Sequence, residues 1–322
     1  MDKFIIDDHK LMYHVPRVND WMAGKNIYPI YMEVSPAGAC NHRCTFCGVD
    51  FMGYQNRSLE ASIFKERLTE MGRLGIKSIM YAGEGEPFLH RNMAEIINHT
   101  KDSGIDVSLT TNGSLLKKEI AESILEKTTW IKVSINAGTK ETYANIHHTK
   151  EKDFERVIEN MQAAAVIRRE KNYRCNLGMQ MVLLPENHHE AETLAGIARS
   201  IGMDYLVIKP YSQHIQSITR RYENIKYSEY EYLNEVLQKY NSDSFHVVFR
   251  STAMRQWDEG AHAYNRCLAL PFWSYIDAGG NVWGCSVYLK DERFAYGNIY
   301  RQTFQEIWES EKRKKSLCFC AW

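Results

Sequence analysis

The chain has 322 residues, 44% of them hydrophobic and 25% charged, with 40 basic side chains balanced by 40 acidic ones. This is the composition of an ordinary globular chain, which argues against disorder and against a fibrous architecture. The length suits one large α/β domain with an appendage, or two domains of roughly 100 to 200 residues. Zero net charge argues against bulk nucleic-acid binding, and no run reaches the roughly 18 to 20 continuous apolar residues of a membrane span.

The first ten residues carry Asp2, Asp7 and Asp8 and lack the basic-then-apolar order of a secretory signal. A cytoplasmic location is expected, where thiols stay reduced. The eight cysteines then point to metal binding or catalysis rather than to disulfides. From residue 30 onward, short β-rich runs alternate with amphipathic stretches of helical length. Strands are predicted over 30–34, 77–82, 106–110, 130–136, 176–184 and 205–209, and helices over 59–73, 93–102, 117–127, 153–169 and 191–201. Such a series implies a parallel sheet with helical crossovers, either a partial barrel or a doubly wound sheet, and in both the ligands collect at the carboxyl ends of the strands. Past Pro210 the pattern changes. Residues 211–240 are tyrosine-rich with a mostly helical period, 245–250 reads as a strand, 272–287 as a hairpin turning at Gly279 and Gly280, and 303–314 as a final helix. A domain boundary is placed near residue 250.

Cys40, Cys44 and Cys47 form a C-x3-C-x2-C run directly after the first predicted strand. Three thiolates on one short loop can grip three irons of a [4Fe-4S] cluster and leave the fourth open to a ligand. The plainer reading of the same residues is a zinc site with His42 as fourth ligand. Further motifs sit at the ends of the following strands: Gly83-Glu84-Gly85-Glu86-Pro87 after the second, Thr110-Thr111-Asn112-Gly113 after the third, and Ser134-Ile135-Asn136 after the fourth. With the cysteine run, these resemble the radical S-adenosylmethionine (radical SAM) superfamily, with Glu84 in place of a usual glycine and Asn136 where Asp is frequent. The resemblance implies a partial (β/α)6 TIM-type barrel in which a [4Fe-4S] cluster cleaves SAM and the resulting radical abstracts a substrate hydrogen. It also implies SAM contacts from Phe46, Gly83, Gly85, Glu86, Pro87, Asn112, Ser134, Asn136 and Leu184. Ser134 and Asn136 are expected on one face of their strand. For Asn112, Phe46 and Leu184, an ordinary turn residue and ordinary core residues are the bland alternatives.

The spacing from Cys267 through Gly280 to Cys285 resembles the opening of the SPASM and twitch domains, which carry auxiliary iron–sulfur clusters. The resemblance implies a small twitch-like α+β extension over 251–322 after a barrel domain over 1–250, with Cys318 and Cys320 as the candidates to complete the auxiliary ligand set. Cys175 stands alone. It is a candidate hydrogen-atom donor for an epimerase, or a small core residue. Lys209 and Gln213, after the sixth strand, are candidate catalytic or substrate-binding groups, or else a solvated loop. The expected reaction is dehydrogenation or epimerisation of a polar, carbohydrate-like or aminocyclitol substrate, with an external electron donor such as flavodoxin or ferredoxin. The alternatives are modification of a ribosomal peptide, and a non-catalytic metal-binding interaction protein.

Overall fold

A computed structural model describes residues 10–260 and 267–317. Seven strands follow one another in parallel: β1 (Tyr31–Val34), β2 (Ser78–Tyr81), β3 (Asp106–Thr111), β4 (Trp130–Ser134), β5 (Asn176–Val182), β6 (Tyr205–Lys209) and β7 (His246–Phe249). On the other side of β1 the sheet continues with β8 (Trp273–Ile276), again parallel, and then with antiparallel β9 (Asn281–Trp283) and β10 (Ala295–Asn298). The predicted strand near 245–250 is thus a seventh barrel strand. The predicted hairpin extends the same sheet instead of starting a new one.

The helices are α1 (Val15–Met22), α2 (Ala61–Arg73), α3 (Met93–Asp102), α4 (Lys118–Ile124), α5 (Lys140–His147), α6 (Glu151–Glu170), α7 (Ala191–Ser200), α8 (Tyr232–Leu237), α9 (Ser251–Glu259), α10 (Phe304–Glu309) and α11 (Glu311–Ser316). None of them is long and apolar enough to cross a membrane among the described residues. Helix α2 shows how these crossovers form. The Glu60 carboxylate caps its first turn through Ser62 N and Ile63 N, and Phe64, Leu68 and Met71 fall on one face and are fully buried.

Alternation along the strands assigns their two faces. Met32 and Val34, Ile79 and Tyr81, Val107 and Leu109, Ile131 and Val133, and Leu206 and Ile208 belong to the core packed under the helices. The other face carries Tyr31, Glu33, Lys132, Ser134 and Lys209. In a flat sheet β1 and β6 would stand about 24 Å apart, yet Glu33 lies within electrostatic reach of both Lys132 and Lys209. The sheet is therefore rolled up, with these polar side chains in its lumen.

Three sequence expectations are corrected. Residues 211–226 contain turns rather than a helix, and α8 accounts for only the end of the predicted helical stretch. The tyrosines there are buried one by one by tertiary contacts. Tyr227 Oη, for example, accepts Tyr211 N at 2.7 Å and donates to Leu183 O at 3.0 Å. The final helix is two, broken at Ser310, whose extended backbone lets its hydroxyl cap α11 through Arg313 N. Strand β4 ends at Ser134, and Asn136 has turned into the left-handed region with φ 56°. The two residues therefore do not share a strand face.

Candidate active site

The loop after β1 is fixed at several points, which holds its three thiols still. Arg43 N and Thr45 N donate to His147 O and Ile146 O at the end of α5, at 3.0 and 2.9 Å. The Asp50 carboxylate accepts Ile218 N and Thr219 N at 2.8 Å each and Ser217 Oγ at 3.0 Å, so residues 217–219 strap the loop from the far side. Burial pushes the Cys40 thiol up to about 11 and raises Cys44 and Cys47 as well; Cys47 adds to the rise at Cys40, and Cys47 and Cys40 add to that at Cys44. Thiolates here need a cation beside them. His147 Nε2 lies 2.9 Å from Ile135 O, and its Nδ1 lies 3.2 Å from Cys44 Sγ.

The donor set also discriminates between metals. His42, Cys44 and His147 bring ligand atoms within 4.8 Å of one another, and Cys40 and Cys47 stand outside that group. A tetrahedral zinc at about 2.3 Å from each sulfur would draw the thiolates to within about 4 Å. Cys40, Cys44, Cys47 and His42 are not gathered in that way. Both ring nitrogens of His42 are buried without a hydrogen-bond partner, and its ring meets Tyr143 edge-on. An open trio of thiols on one loop fits a larger inorganic cluster.

Gly83 to Pro87 lie flat against the start of this loop. Glu86 N donates to Ala39 O at 2.9 Å, and a Cβ on Gly85 would stand 2.1 Å from that same oxygen. Gly83 has φ 104°, and a Cβ there would meet Tyr275 Oη at 2.3 Å. The buried Glu86 carboxylate accepts Thr111 Oγ1 at 2.6 Å, Asn112 N at 2.8 Å and Phe88 N at 3.1 Å, which locks the ends of β2 and β3 together. Pro87 opens a short 3-10 turn in which it and Phe88 are buried. Asn112 reaches the cluster loop by donating to Asn41 Oδ1 at 2.8 Å. The Asn136 amide accepts Val182 N at 2.7 Å and donates to Ser134 Oγ at 3.2 Å, while Ser134 itself lines the lumen. Phe46 packs at the core's edge against His147, and Leu184 lies in the core just past β5.

Glu84 departs from the superfamily pattern, and the structure gives the substitution a purpose. Its buried carboxylate accepts Arg57 Nη2 at 2.9 Å and Ala278 N at 2.7 Å, tying the glycine-rich turn to the β8–β9 hairpin. Glu84→Ala strands a partly buried arginine and an amide. A loss of roughly 2–3 kcal/mol is expected, read as a lower denaturation midpoint, with Glu84→Gln losing less because it can still accept from Ala278.

Lys209 closes β6 with its side chain in the lumen. Lys132 and Glu33, which no motif singled out, face it there. Burial lowers Lys132 to about 7, helped by the charges of Lys209 and Arg250, and burial raises Glu33 to about 7. Gln213 Nε2 donates to His214 O and Thr219 O at 3.3 and 3.0 Å, within the strap. Cys175 packs in the core at the amino end of β5, and its thiol is directed to Asn176 O. Cys285 is pushed up to about 12 by burial, with Cys267 adding to the shift from across the hairpin. Cys318 and Cys320 lie outside the described residues.

An open parallel barrel with three fixed thiols on its first loop, and a glycine-rich turn against them, is the architecture of an iron–sulfur enzyme acting at its strand ends. The model of the radical SAM superfamily matches residues 34–196, and the chain belongs to that superfamily. Residues 267–320 match the SPASM iron–sulfur cluster-binding domain. Its cofactors are accordingly a [4Fe-4S] cluster and SAM, with auxiliary iron–sulfur binding in the SPASM domain. Among curated proteins, a probable GTP 3′,8-cyclase of Metallosphaera sedula is 30% identical over 184 residues, covering 54% of this chain and 53% of that protein. The GTP 3′,8-cyclase of Chlorobaculum tepidum is 29% identical over 129 residues, covering 39% and 38%. The chain thus spans about half, or less, of the length of these relatives. Among solved structures, Streptococcus suis SuiB bound to precursor peptide SuiA is similar with a TM-score of 0.70 at 16% identity, covering 94% of this chain and 70% of that one. Native anSMEcpe with bound AdoMet is similar with a TM-score of 0.63 at 16% identity, covering 91% and 84%. At these identities the likeness is one of fold.

Proposed function

We propose that this radical SAM enzyme is a dehydrogenase of a polar, carbohydrate-like or aminocyclitol substrate held in the barrel lumen, fed by an external electron donor such as flavodoxin or ferredoxin. Cys40, Cys44 and Cys47 would hold a [4Fe-4S] cluster that with SAM would supply the one-electron chemistry to take a hydrogen atom from a substrate carbon, and the SPASM domain would hold the iron–sulfur acceptor for the second electron as that C–OH becomes C=O. The protein's own groups do the rest. The backbone of Gly83 to Glu86 receives the methionine end of SAM beside Cys40. Ser134 and Lys209 hold polar groups of the substrate, and Glu33, whose carboxyl burial makes more basic than usual, accepts the hydroxyl proton.

The observation that carries dehydrogenation over epimerisation is the position of Cys175. An epimerase returns a hydrogen atom to the substrate radical, and this thiol sits in the core at the amino end of β5, away from the strand ends. The test is turnover in deuterated water with a panel of polyols and aminocyclitols. The expected product is two hydrogens lighter than the substrate and carries no new carbon-bound deuterium. Deuterium on carbon in a product of unchanged oxidation state would sink the dehydrogenase reading. GTP and a linear precursor peptide belong in the same panel, given the names of the similar proteins.

A further inference from the structure

Two histidines that the cysteine motif does not use stand beside Cys44. His42 lies two residues before it on the first loop, and His147 is the last residue of α5. The backbone bonds that pin this loop fall on either side of Cys44: Arg43 N donates to His147 O at 3.0 Å and Thr45 N to Ile146 O at 2.9 Å, so loop and helix end keep a fixed spacing. The buried His147 ring is stacked on Tyr143 with centres 4.3 Å apart and meets Phe46 edge-on at 5.6 Å. Its Nε2 lies 2.9 Å from Ile135 O, nearer than the 3.3 Å of Asn136 Nδ2. A carbonyl oxygen only accepts, so Nε2 carries the hydrogen and Nδ1 turns its lone pair to Cys44 Sγ, 3.2 Å away. An imidazole oriented through its far nitrogen by a backbone carbonyl is held as metal-ligating histidines are held. His42 supplies an independent observation. It is 1% exposed, its ring meets His147 edge-on with centres 5.4 Å apart, and among the described residues neither of its ring nitrogens has a hydrogen-bond partner. A buried polar atom left unpaired costs about 1–3 kcal/mol, and an ion bound at one of these nitrogens would relieve it.

We propose that His42, Cys44 and His147 form a mononuclear site that holds one divalent transition-metal ion in the chain before the [4Fe-4S] cluster is built. One ligand atom from each lies within 4.8 Å of the others, with Cys40 and Cys47 outside the group. Tetrahedral coordination sets a nitrogen and a sulfur ligand about 3.5 Å apart, close to the spacing already present between Nδ1 and Sγ. Two imidazoles and one thiolate suit iron(II), cobalt(II) or zinc(II). Binding replaces the Cys44 S–H bond by a metal–sulfur bond and releases that proton to solvent, with no change of oxidation state. The site shares Cys44 with the cluster, so the two exclude one another. Iron(II) held there waits on the loop that carries Cys40 and Cys47, and zinc(II) held there must leave before the cluster can form. None of this depends on what the loaded enzyme acts on.

The test is anaerobic titration of the full-length, cluster-free chain with cobalt(II), read by thiolate-to-cobalt charge-transfer absorption. Each variant is compared with the wild type for the one ion lost, which sets aside cobalt taken by other thiols. Cys44→Ala should bind one cobalt fewer per chain. His42→Phe and His147→Phe, which keep a ring in each place, should bind that ion at least about tenfold more weakly. Cys40→Ala and Cys47→Ala should hold it within about threefold of the wild type. Circular dichroism checks that the histidine variants fold, and if they do not, the contrast among the three cysteine variants decides alone. Equal loss in Cys40→Ala, Cys44→Ala and Cys47→Ala is the mark of a three-thiol site and overturns the proposal. So does undiminished cobalt binding by Cys44→Ala or by a folded His147→Phe. Wild type that has taken up its cluster should no longer bind this ion, and a cobalt retained there beside an intact cluster would contradict the shared use of Cys44.

Discussion

Anaerobically reconstituted Cys44→Ala protein is expected to form 5′-deoxyadenosine only at background level and to hold about four fewer irons per chain than the wild type. Cys44 sits at the centre of the C-x3-C-x2-C run, its loop is pinned to α5 through Arg43 N and Thr45 N, and its thiol is buried against His147. Alanine leaves that packing almost unchanged and removes one of three ligands, so the protein should fold and lose the chemistry. Cys285→Ala tests the other cluster. Reductive SAM cleavage should survive it, while on the proposed dehydrogenation conversion of substrate to oxidised product should fall sharply, since Cys267 and Cys285, which bracket the hairpin, are the proposed ligands of the cluster that would accept the second electron. Retention of SAM cleavage by Cys44→Ala would show that the three thiols are not the ligands. Mass spectrometry of 5′-deoxyadenosine together with iron analysis reads both outcomes.

The second large effect is steric. A methyl group on Gly85 would stand 2.1 Å from Ala39 O and 2.6 Å from Ala37 O, and both of these are backbone atoms that cannot swing aside. Gly85→Ala must therefore push the glycine-rich turn away from the residue that precedes Cys40. SAM affinity is expected to fall at least about tenfold, and stability to fall by roughly 1–3 kcal/mol, the usual range for forcing extra atoms into a packed site. Gly196→Ala is the control. This glycine lies in α7, where the nearest atom to an added Cβ is Tyr240 Cε1 at 3.8 Å, so alanine should leave SAM binding untouched and add a little helix stability. Calorimetric titration with SAM separates the two. Equal affinities in the two variants would mean that the turn does not position the cofactor.

The parts of the molecule that were legible in its sequence are those whose information is local. The strands from β1 to β6 could be read because their apolar runs are short and bounded by turn residues, and the cofactor motifs because each follows a strand end within a few residues. Glu86 and Gly85 are where the motif implied, and the structure adds that Glu86 spends its oxygens joining β2 to β3. The missed features are non-local. Lys132 and Glu33 look like ordinary alternating polar residues until the sheet rolls up and brings β1, β4 and β6 around one space. The run from Tyr211 to Tyr227 imitates a helical period, but each tyrosine is fixed by a different partner, among them Thr45, Leu183 and Trp257. Helix α5 was passed over as well, although its end holds the cluster loop and His147. The break at Ser310 follows from a cap that competes with helix continuation, and the sequence around it reads equally well as one helix.

Glu84 carries a related lesson about family patterns. Judged by the pattern, it is a deviation. In the fold it connects Arg57 and the Ala278 amide, so the glycine-rich turn and the SPASM hairpin share a buried carboxylate. A change at the hairpin thereby has a direct route to the turn that abuts Cys40, through two hydrogen bonds and a backbone contact.

Three thiols on the first loop, Cys40, Cys44 and Cys47, are proposed to hold the cluster that cleaves SAM. The most direct measurement is anaerobic reconstitution of the full chain with iron and sulfide, reduction with dithionite, addition of SAM, and quantification of 5′-deoxyadenosine against bound metal. About four irons per chain are expected for the SAM-cleaving cluster, rising to about eight with one auxiliary [4Fe-4S] cluster, with 5′-deoxyadenosine and methionine formed in equal amounts. Zinc as the bound metal with no cleavage of SAM would contradict this assignment.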